Sequence, residues 1–244
     1  MSIPIAERIS AKPRRRLFGG VCIAFVGPDG AGKSTAVEKL TEAWPEVTRF
    51  IFMGAGIDQA NYALPTSRWL TRRKRQRLAD TLEDPDVLPP ARLLTDEQRK
   101  EIPKGRLIKI IGLVNRVAEE WYRYSVIATF KLLGYVVLCD RYYLFEYRLE
   151  PANVDADEPL SARIHNWLLR RIYPRPDLVV FLDADAEFLR RRKPEWPIEH
   201  LEHQRQSILL QSRLVPEFVR VDATQPLHEV LGEVADTIRR KFYD

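Results

Sequence analysis

Residues 21–35 read VCIAFVGPDGAGKST, an apolar run that leads directly into a glycine-rich turn. The turn, residues 27–35, matches the pattern G-x-x-x-x-G-K-[S/T] in full. An apolar strand enters this turn and a helical pattern leaves it, which is the context that the motif requires. We therefore predict a strand, a loop whose backbone N–H groups surround phosphate oxygens, and a helix whose N-terminus adds positive potential.

The loop predicts a binding site for the phosphates of a nucleotide. Lys33 is expected to reach the β- and γ-phosphates, and Ser34 is expected to bind Mg²⁺. The candidate nucleotide-binding residues are Gly30, Ala31, Gly32, Lys33, Ser34 and Thr35.

Short apolar runs alternate with longer segments of helical period along the chain, which is typical of an α/β protein with a mainly parallel sheet. This pattern predicts a three-layer fold, in which helices flank a five-stranded parallel sheet. The strands are predicted at residues 21–27, 47–54, 135–140, 177–183 and 218–222. The helices are predicted at residues 33–43, 106–133, 160–172, 186–192 and 198–214, with a last one after Pro226.

The length of 244 residues, with 45% hydrophobic and 30% charged residues, is that of one folded domain. Two cysteines argue against a disulfide-built secreted scaffold. Residues 1–20 are interpreted as a basic N-terminal extension rather than a signal peptide, because the apolar run that follows continues into the phosphate loop. No run reaches the length of a membrane helix, so we expect a cytoplasmic protein.

Residues 55–105 interrupt the α/β pattern with five prolines and are interpreted as an insertion on the acceptor side of the site, where a second substrate would bind. This insertion carries a basic cluster at residues 72–77, and the net charge of the chain is +5. Such a cluster can bind nucleic acid or an anionic membrane surface. We favour a solvated helix face instead, and expect neither polyanion as a partner.

An acid and an arginine, Asp140 and Arg141, end the predicted third strand. The carboxyl ends of parallel strands form the ligand edge of such a sheet. Asp140 is therefore a candidate Mg²⁺ ligand, and Arg141 a candidate clamp for a phosphoryl group. The alternative is an ordinary surface ion pair after a strand.

Four consecutive cations, residues 190–193, follow the predicted fourth strand after one short helix. Phosphoryl transfer needs positive charge around three oxygens, and a closing lid can supply it. The alternative is a solvated helix end whose cations complement the helix dipole.

No guanine-reading N-K-x-D motif occurs in the sequence, and the chain is short for a motor domain. A small-molecule kinase is therefore favoured over a GTPase or a motor ATPase.

Together, these motifs resemble the thymidylate kinase family of nucleoside monophosphate kinases. The resemblance rests on GPDGAGKST at residues 27–35, DRY at 140–142, PDLVVFLD at 176–183 followed nine residues later by Arg192, and VDAT at 221–224. It implies a central phosphate-loop strand, ATP with Mg²⁺ as the phosphoryl donor, and a homodimer. It also implies catalytic roles: Asp29 arranges the acceptor, while Lys33 and Arg141 support the transferred group. Arg192 is then the cation of a lid at residues 190–199.

The chain departs from the family in the turn after the second strand, which lacks the arginine that meets the acceptor monophosphate. Residues 52–56 read FMGAG there, and Arg116 and Arg123 are the arginines offered by the following long helix. The resemblance nevertheless implies a nucleoside monophosphate as the acceptor, with dTMP the leading candidate. Two alternatives remain open: a sugar or a glycan or natural-product intermediate as acceptor, and a nucleotide-binding module without transfer activity.

Aromatic residues and histidines complete the candidates. Tyr142, Tyr143 and Tyr147 either stack on a base or sugar or pack the loop after the third strand. His200 and His203 are interpreted as a helix surface rather than a metal site.

Overall fold

The computed structural model describes residues 19–54, 64–69, 106–146 and 160–243, with side chains from residue 110 in the third range. Most of the N-terminal extension, most of the insertion at 55–105 with its basic cluster, and Tyr147 lie outside the described residues. The elements are β1 Val21–Val26, α1 Lys33–Ala43, β2 Thr48–Phe52, α2 Arg106–Leu132, β3 Val136–Asp140, α3 Tyr143–Glu146, α4 Leu160–Arg171, β4 Leu178–Asp183, α5 Ala186–Arg192, α6 Ile198–Gln211, a 3₁₀ turn Ser212–Leu214, β5 Phe218–Asp222 and α7 Leu227–Phe242.

The five strands form one parallel sheet in the order β2-β3-β1-β4-β5. The loop-bearing strand β1 is central, with Phe25 opposite Asp140 on one side and Val26 opposite Phe181 on the other. All five carboxyl ends therefore meet at one edge of the sheet. The predicted five-stranded parallel sheet with flanking helices is confirmed, and its architecture is that of a P-loop kinase-like α/β fold.

Both faces of the sheet are buried, which explains why β1 is apolar without alternation. Ile23 and Phe25 point to a core shared with α1 and α7, whereas Ala24 and Val26 point to a core shared with α2 and α4. Burial on both sides fixes the end of β1, and with it the start of the phosphate loop. None of the described helices combines the length and the apolar character that a bilayer crossing requires.

The structure differs from the predicted elements at strand and helix ends and in one additional helical turn. The sequence did not predict α3, a single turn that begins at Tyr143 shortly after β3. The helix predicted to end at residue 214 stops at Gln211 before the 3₁₀ turn. Tyr142 and Tyr143 are 1% and 3% exposed and lie edge-on to Tyr124. These two tyrosines pack the loop after β3, so of the two interpretations only packing applies to them.

Candidate active site

The phosphate loop wraps tightly between β1 and α1. Gly30 and Gly32 have φ angles of 91° and 89°, in the left-handed region that favours glycine. Gly27 lies against the neighbouring strand, because a Cβ there would come within 2.6 Å of the carbonyl oxygen of Leu182. Helix α1 begins directly after Gly32 without a side-chain cap. Its first N–H groups therefore face the loop, as a phosphate-binding helix N-terminus requires.

Lys33, the first residue of α1, is buried beneath the loop. Its side chain is 6% exposed overall, and its Nζ donates hydrogen bonds of 2.8 Å to the carbonyl oxygens of Gly27 and Pro28. Burial and the positive charge of Arg141 together lower the pKa of Lys33 to about 8, against the opposite effect of Asp29. Burial thus disfavours the charged form of Lys33, although two carbonyl oxygens of the loop accept hydrogen bonds from its ammonium group.

Ser34 and Asp140 meet across the β1–β3 edge. The Ser34 hydroxyl donates a 2.6 Å hydrogen bond to Oδ2 of Asp140, which is 2% exposed. The other carboxylate oxygen, Oδ1, is buried without a hydrogen-bond partner. A hydroxyl beside an unsatisfied carboxylate oxygen is a pair of hard oxygen ligands. No group of three or more His, Cys, Asp or Glu ligands occurs in the described residues, so an ion here would also need water or phosphate oxygens.

Arg141 follows Asp140 with a φ of 68°, which is strained for a residue with a side chain. Its Nη2 donates to Oδ1 of Asp29 at 2.8 Å and its Nη1 to Oε1 of Glu146 at 3.1 Å. Burial would raise the pKa of Asp29, but Lys33 and Arg141 lower it to about 2. Asp29 is therefore ionised at neutral pH and shares the guanidinium with Glu146.

Helix α6 contacts the phosphate loop and the end of β4. Gln204 binds Asp29 twice, because its Oε1 accepts from the backbone N–H at 3.0 Å and its Nε2 donates to Oδ2 at 3.3 Å. The next residue, Arg205, donates to Oδ1 of Asp183 at the end of β4, at 2.6 Å. These neighbouring contacts hold α6 against both the loop and the sheet.

A cavity of about 220 Å³ lies between the loop, α3 and α6. His200 and His203 face this cavity and are half-buried, on the same face of α6 as Gln204. The lining residues are Val26, Gly27, Lys33, Arg141, Phe145, Glu146, His200, His203, Gln204, Ser207 and Ile208.

Arg192 lies on the outer side of the loop, at the end of α5. It is exposed, with its guanidinium carbon 5.7 Å from the centre of the Phe188 ring. One of its terminal nitrogens, Nη2, lies 3.9 Å from the position of a Cβ built on Gly32. The following Lys193 lies against Gly30 in the same way, at 3.4 Å. The basic segment therefore borders the phosphate loop rather than the cavity.

Arg116 and Arg123 of α2 do not line the cavity. Arg116 is exposed. Arg123 is 5% exposed, and its Nη1 donates to the carbonyl oxygen of Phe52 at 2.9 Å. Its Nε and Nη2 face Oε1 of Glu119, each at 3.3 Å. Arg123 thus supports the turn after β2.

The order β2-β3-β1-β4-β5, with the phosphate loop after its central strand, defines a P-loop kinase-like protein. No family model matches the chain. It is 26% identical to a thymidylate kinase from Limosilactobacillus reuteri over 92% of its length and 98% of the relative. It is 25% identical to a thymidylate kinase from Ectopseudomonas mendocina, over 88% and 93%.

A third relative is matched over a shorter stretch. A probable thymidylate kinase from Archaeoglobus fulgidus is 32% identical over 111 residues, which are 43% of this chain and about half (54%) of that protein. Together, the three similarities support a thymidylate-kinase-like family and a kinase activity for the chain.

Proposed function

We propose that this chain is an ATP-dependent phosphotransferase that phosphorylates a nucleoside monophosphate, with dTMP as the leading candidate. The observation that carries the proposal is the convergence of Lys33, Arg141 and the Ser34–Asp140 pair at one edge of the sheet. Similarity to thymidylate kinases over most of the chain supports the choice of a nucleotide acceptor.

Phosphoryl transfer asks the protein mainly to position two phosphates and to stabilise negative charge. The N–H groups of residues 30–35 and the ammonium of Lys33 would hold the phosphates of ATP. Arg141 would support the transferred phosphoryl group and hold the acceptor phosphate, whose oxygen attacks the γ-phosphorus as ADP leaves. Asp29, fixed by Arg141 and Gln204, would orient the acceptor. Arg192 at the border of the loop would add positive charge from a lid at residues 190–199.

Ser34 and Asp140 fit Mg²⁺, because the buried Oδ1 of Asp140 lacks a partner and the neighbouring hydroxyl is a second oxygen ligand. The ion supplies positive charge to the β- and γ-phosphates when it is bound with ATP. Ser34 and Asp140 would provide oxygen ligands for the ion beside the loop.

A second candidate is a kinase that acts on a sugar phosphate or a glycan intermediate. The residues at 52–54 bring no arginine to the acceptor side, and Arg123 is turned to the Phe52 carbonyl oxygen. Among the described residues, Arg141 is then the arginine left for an acceptor phosphate, which suits a smaller or differently shaped acceptor than dTMP.

The test is ADP release from Mg²⁺–ATP with dTMP, dUMP, UMP, AMP, ribose 5-phosphate and glucose 1-phosphate as acceptors. We expect dTMP to stimulate release at least tenfold and Lys33→Ala to abolish it; the exposed Lys39→Ala is the matched control. Stimulation by the sugar phosphates alone would support the second candidate. If ATP binds and no acceptor stimulates release, the chain is a nucleotide-binding module and the proposal is wrong.

A further inference from the structure

One face of α6 presents polar side chains to the cavity. His200, His203, Gln204 and Ser207 have the i, i+3, i+4, i+7 spacing of one helical face, and all four line the cavity. Ile208 continues the same face with an apolar side chain. Neither the phosphate loop nor the DRY motif accounts for this stripe.

Two of these side chains are already engaged with the protein. Gln204 holds Asp29, and its Nε2 lies 3.1 Å from Nε2 of His200. The His200 ring stacks on Trp196, with ring centres 4.5 Å apart. These two residues therefore belong to the support of the loop.

The other two side chains are available to a ligand. In the described part of the chain, His203 makes no hydrogen bond, although it is half-buried beside the cavity. Ser207 accepts one long hydrogen bond of 3.4 Å from Gln211, which leaves its O–H free to donate. An imidazole and a hydroxyl thus stand side by side, one helical turn apart.

The charges around the cavity indicate which ligand groups these side chains suit. Arg141 is balanced by two carboxylates, Asp29 and Glu146, and Glu146 also lines the cavity. A second anionic group near α3 and α6 would be repelled by the Glu146 carboxylate. Hydroxyl groups are neutral and can both donate and accept, so they match the imidazole, the serine and the carboxylate together.

We propose that His203 and Ser207 recognise hydroxyl groups on the sugar part of the acceptor and so determine specificity. The inference rests on the proposed function, because it takes the acceptor to be a phosphorylated sugar or nucleoside held at Arg141. Phe145 and Ile208 provide apolar walls for the carbon face of the same sugar ring.

The experiment compares ligands that differ by one hydroxyl group. Isothermal titration gives dissociation constants for ribose 5-phosphate against 2-deoxyribose 5-phosphate, UMP against dUMP, and dTMP against its 3′-deoxy analogue. One recognised hydroxyl is worth about one hydrogen bond, so at least one pair should differ by about tenfold in the wild type. The double variant His203→Ala/Ser207→Ala should bind both members of that pair about equally. Gln206→Ala, exposed on the same helix, is the control and should keep the tenfold difference.

Two results would overturn the inference: the same ratio in the double variant as in the wild type, or no binding of any of these phosphates. ADP release, measured on the same samples, tests the proposed function separately. Hydroxyl-dependent binding without ADP release would contradict the transfer reaction and leave the recognition face standing. Release without any effect of the double variant would contradict only the recognition face.

Discussion

Replacing Lys33 by methionine removes a buried positive charge while keeping the length of the side chain. The pKa of Lys33 is about 8 instead of 10.5, because burial disfavours the charged form and Arg141 repels it. This difference in pKa means that the charged form of Lys33 is about 3 kcal/mol less favourable, relative to the neutral form, in the folded protein than in the unfolded chain. Since the unfolded chain binds the proton more tightly, the cost is fully present below about pH 8 and is relieved as the pH rises toward 10.5.

The measurable quantity is the free energy of unfolding of the wild type minus that of Lys33→Met. Linkage predicts that this difference increases by about 2.5 kcal/mol from about pH 7 to about pH 10. Urea titrations followed by tryptophan fluorescence at several pH values, without nucleotide, give both free energies. The same variant should have no measurable ADP release.

Lys39→Met is the matched control on α1. Lys39 is half-exposed and its pKa is raised by the hydrogen bond to Glu42, so it stays charged in this pH range whether or not the chain is folded. The free energy of unfolding of the wild type minus that of Lys39→Met should therefore not change with pH. A flat curve for Lys33→Met as well, or one that falls with pH, would refute the burial of the Lys33 charge.

Three other substitutions test charge balance, packing and assembly. Asp29→Asn should cost about 2 kcal/mol at neutral pH because the pKa of Asp29 is about 2 rather than 3.8, and in urea titrations this cost should vanish as the pH falls from about 4 to about 2. Glu120→Leu should cost about 2 kcal/mol, because it removes the buried acceptor of His165 at 2.8 Å and of Tyr173 at 2.6 Å; an unchanged denaturation midpoint would contradict this. The exposed apolar side chains of Ile110, Ile111 and Val114 make this part of α2 the candidate contact of the expected homodimer. Val114→Glu, at a side chain that is 62% exposed, should convert the homodimer to a monomer in light scattering, and a monomeric wild type would contradict the dimer.

Much of the fold could be predicted because its signals are local. The apolar run of β1 is read directly as a strand buried on both faces, and Lys33–Ala43 follows the loop with the predicted bounds. Strand ends were predicted one or two residues too long, since a polar or glycine residue at a strand end can belong to either state. The turn α3 was missed because a single helical turn has too few residues to show a period.

The site was predictable where parallel strands bring motifs to one edge. Asp140 was placed beside the phosphate loop by its position after an apolar strand, and the structure puts Ser34 within 2.6 Å of it. The side chains that α6 brings to the site could not be predicted in the same way. Gln204 lies 175 residues after Asp29, and no motif marks a glutamine that binds a loop backbone.

The sequence by itself determined the parallel α/β sheet, the phosphate loop and the acid–arginine pair after β3, because each depends on a short run of neighbouring residues. Only the tertiary structure decided what these groups touch: that Arg141 is shared by Asp29 and Glu146, that Arg123 supports the turn after β2, and that α6 walls the cavity. Helix packing sets these contacts, and it depends on side chains from distant parts of the chain meeting in a buried environment.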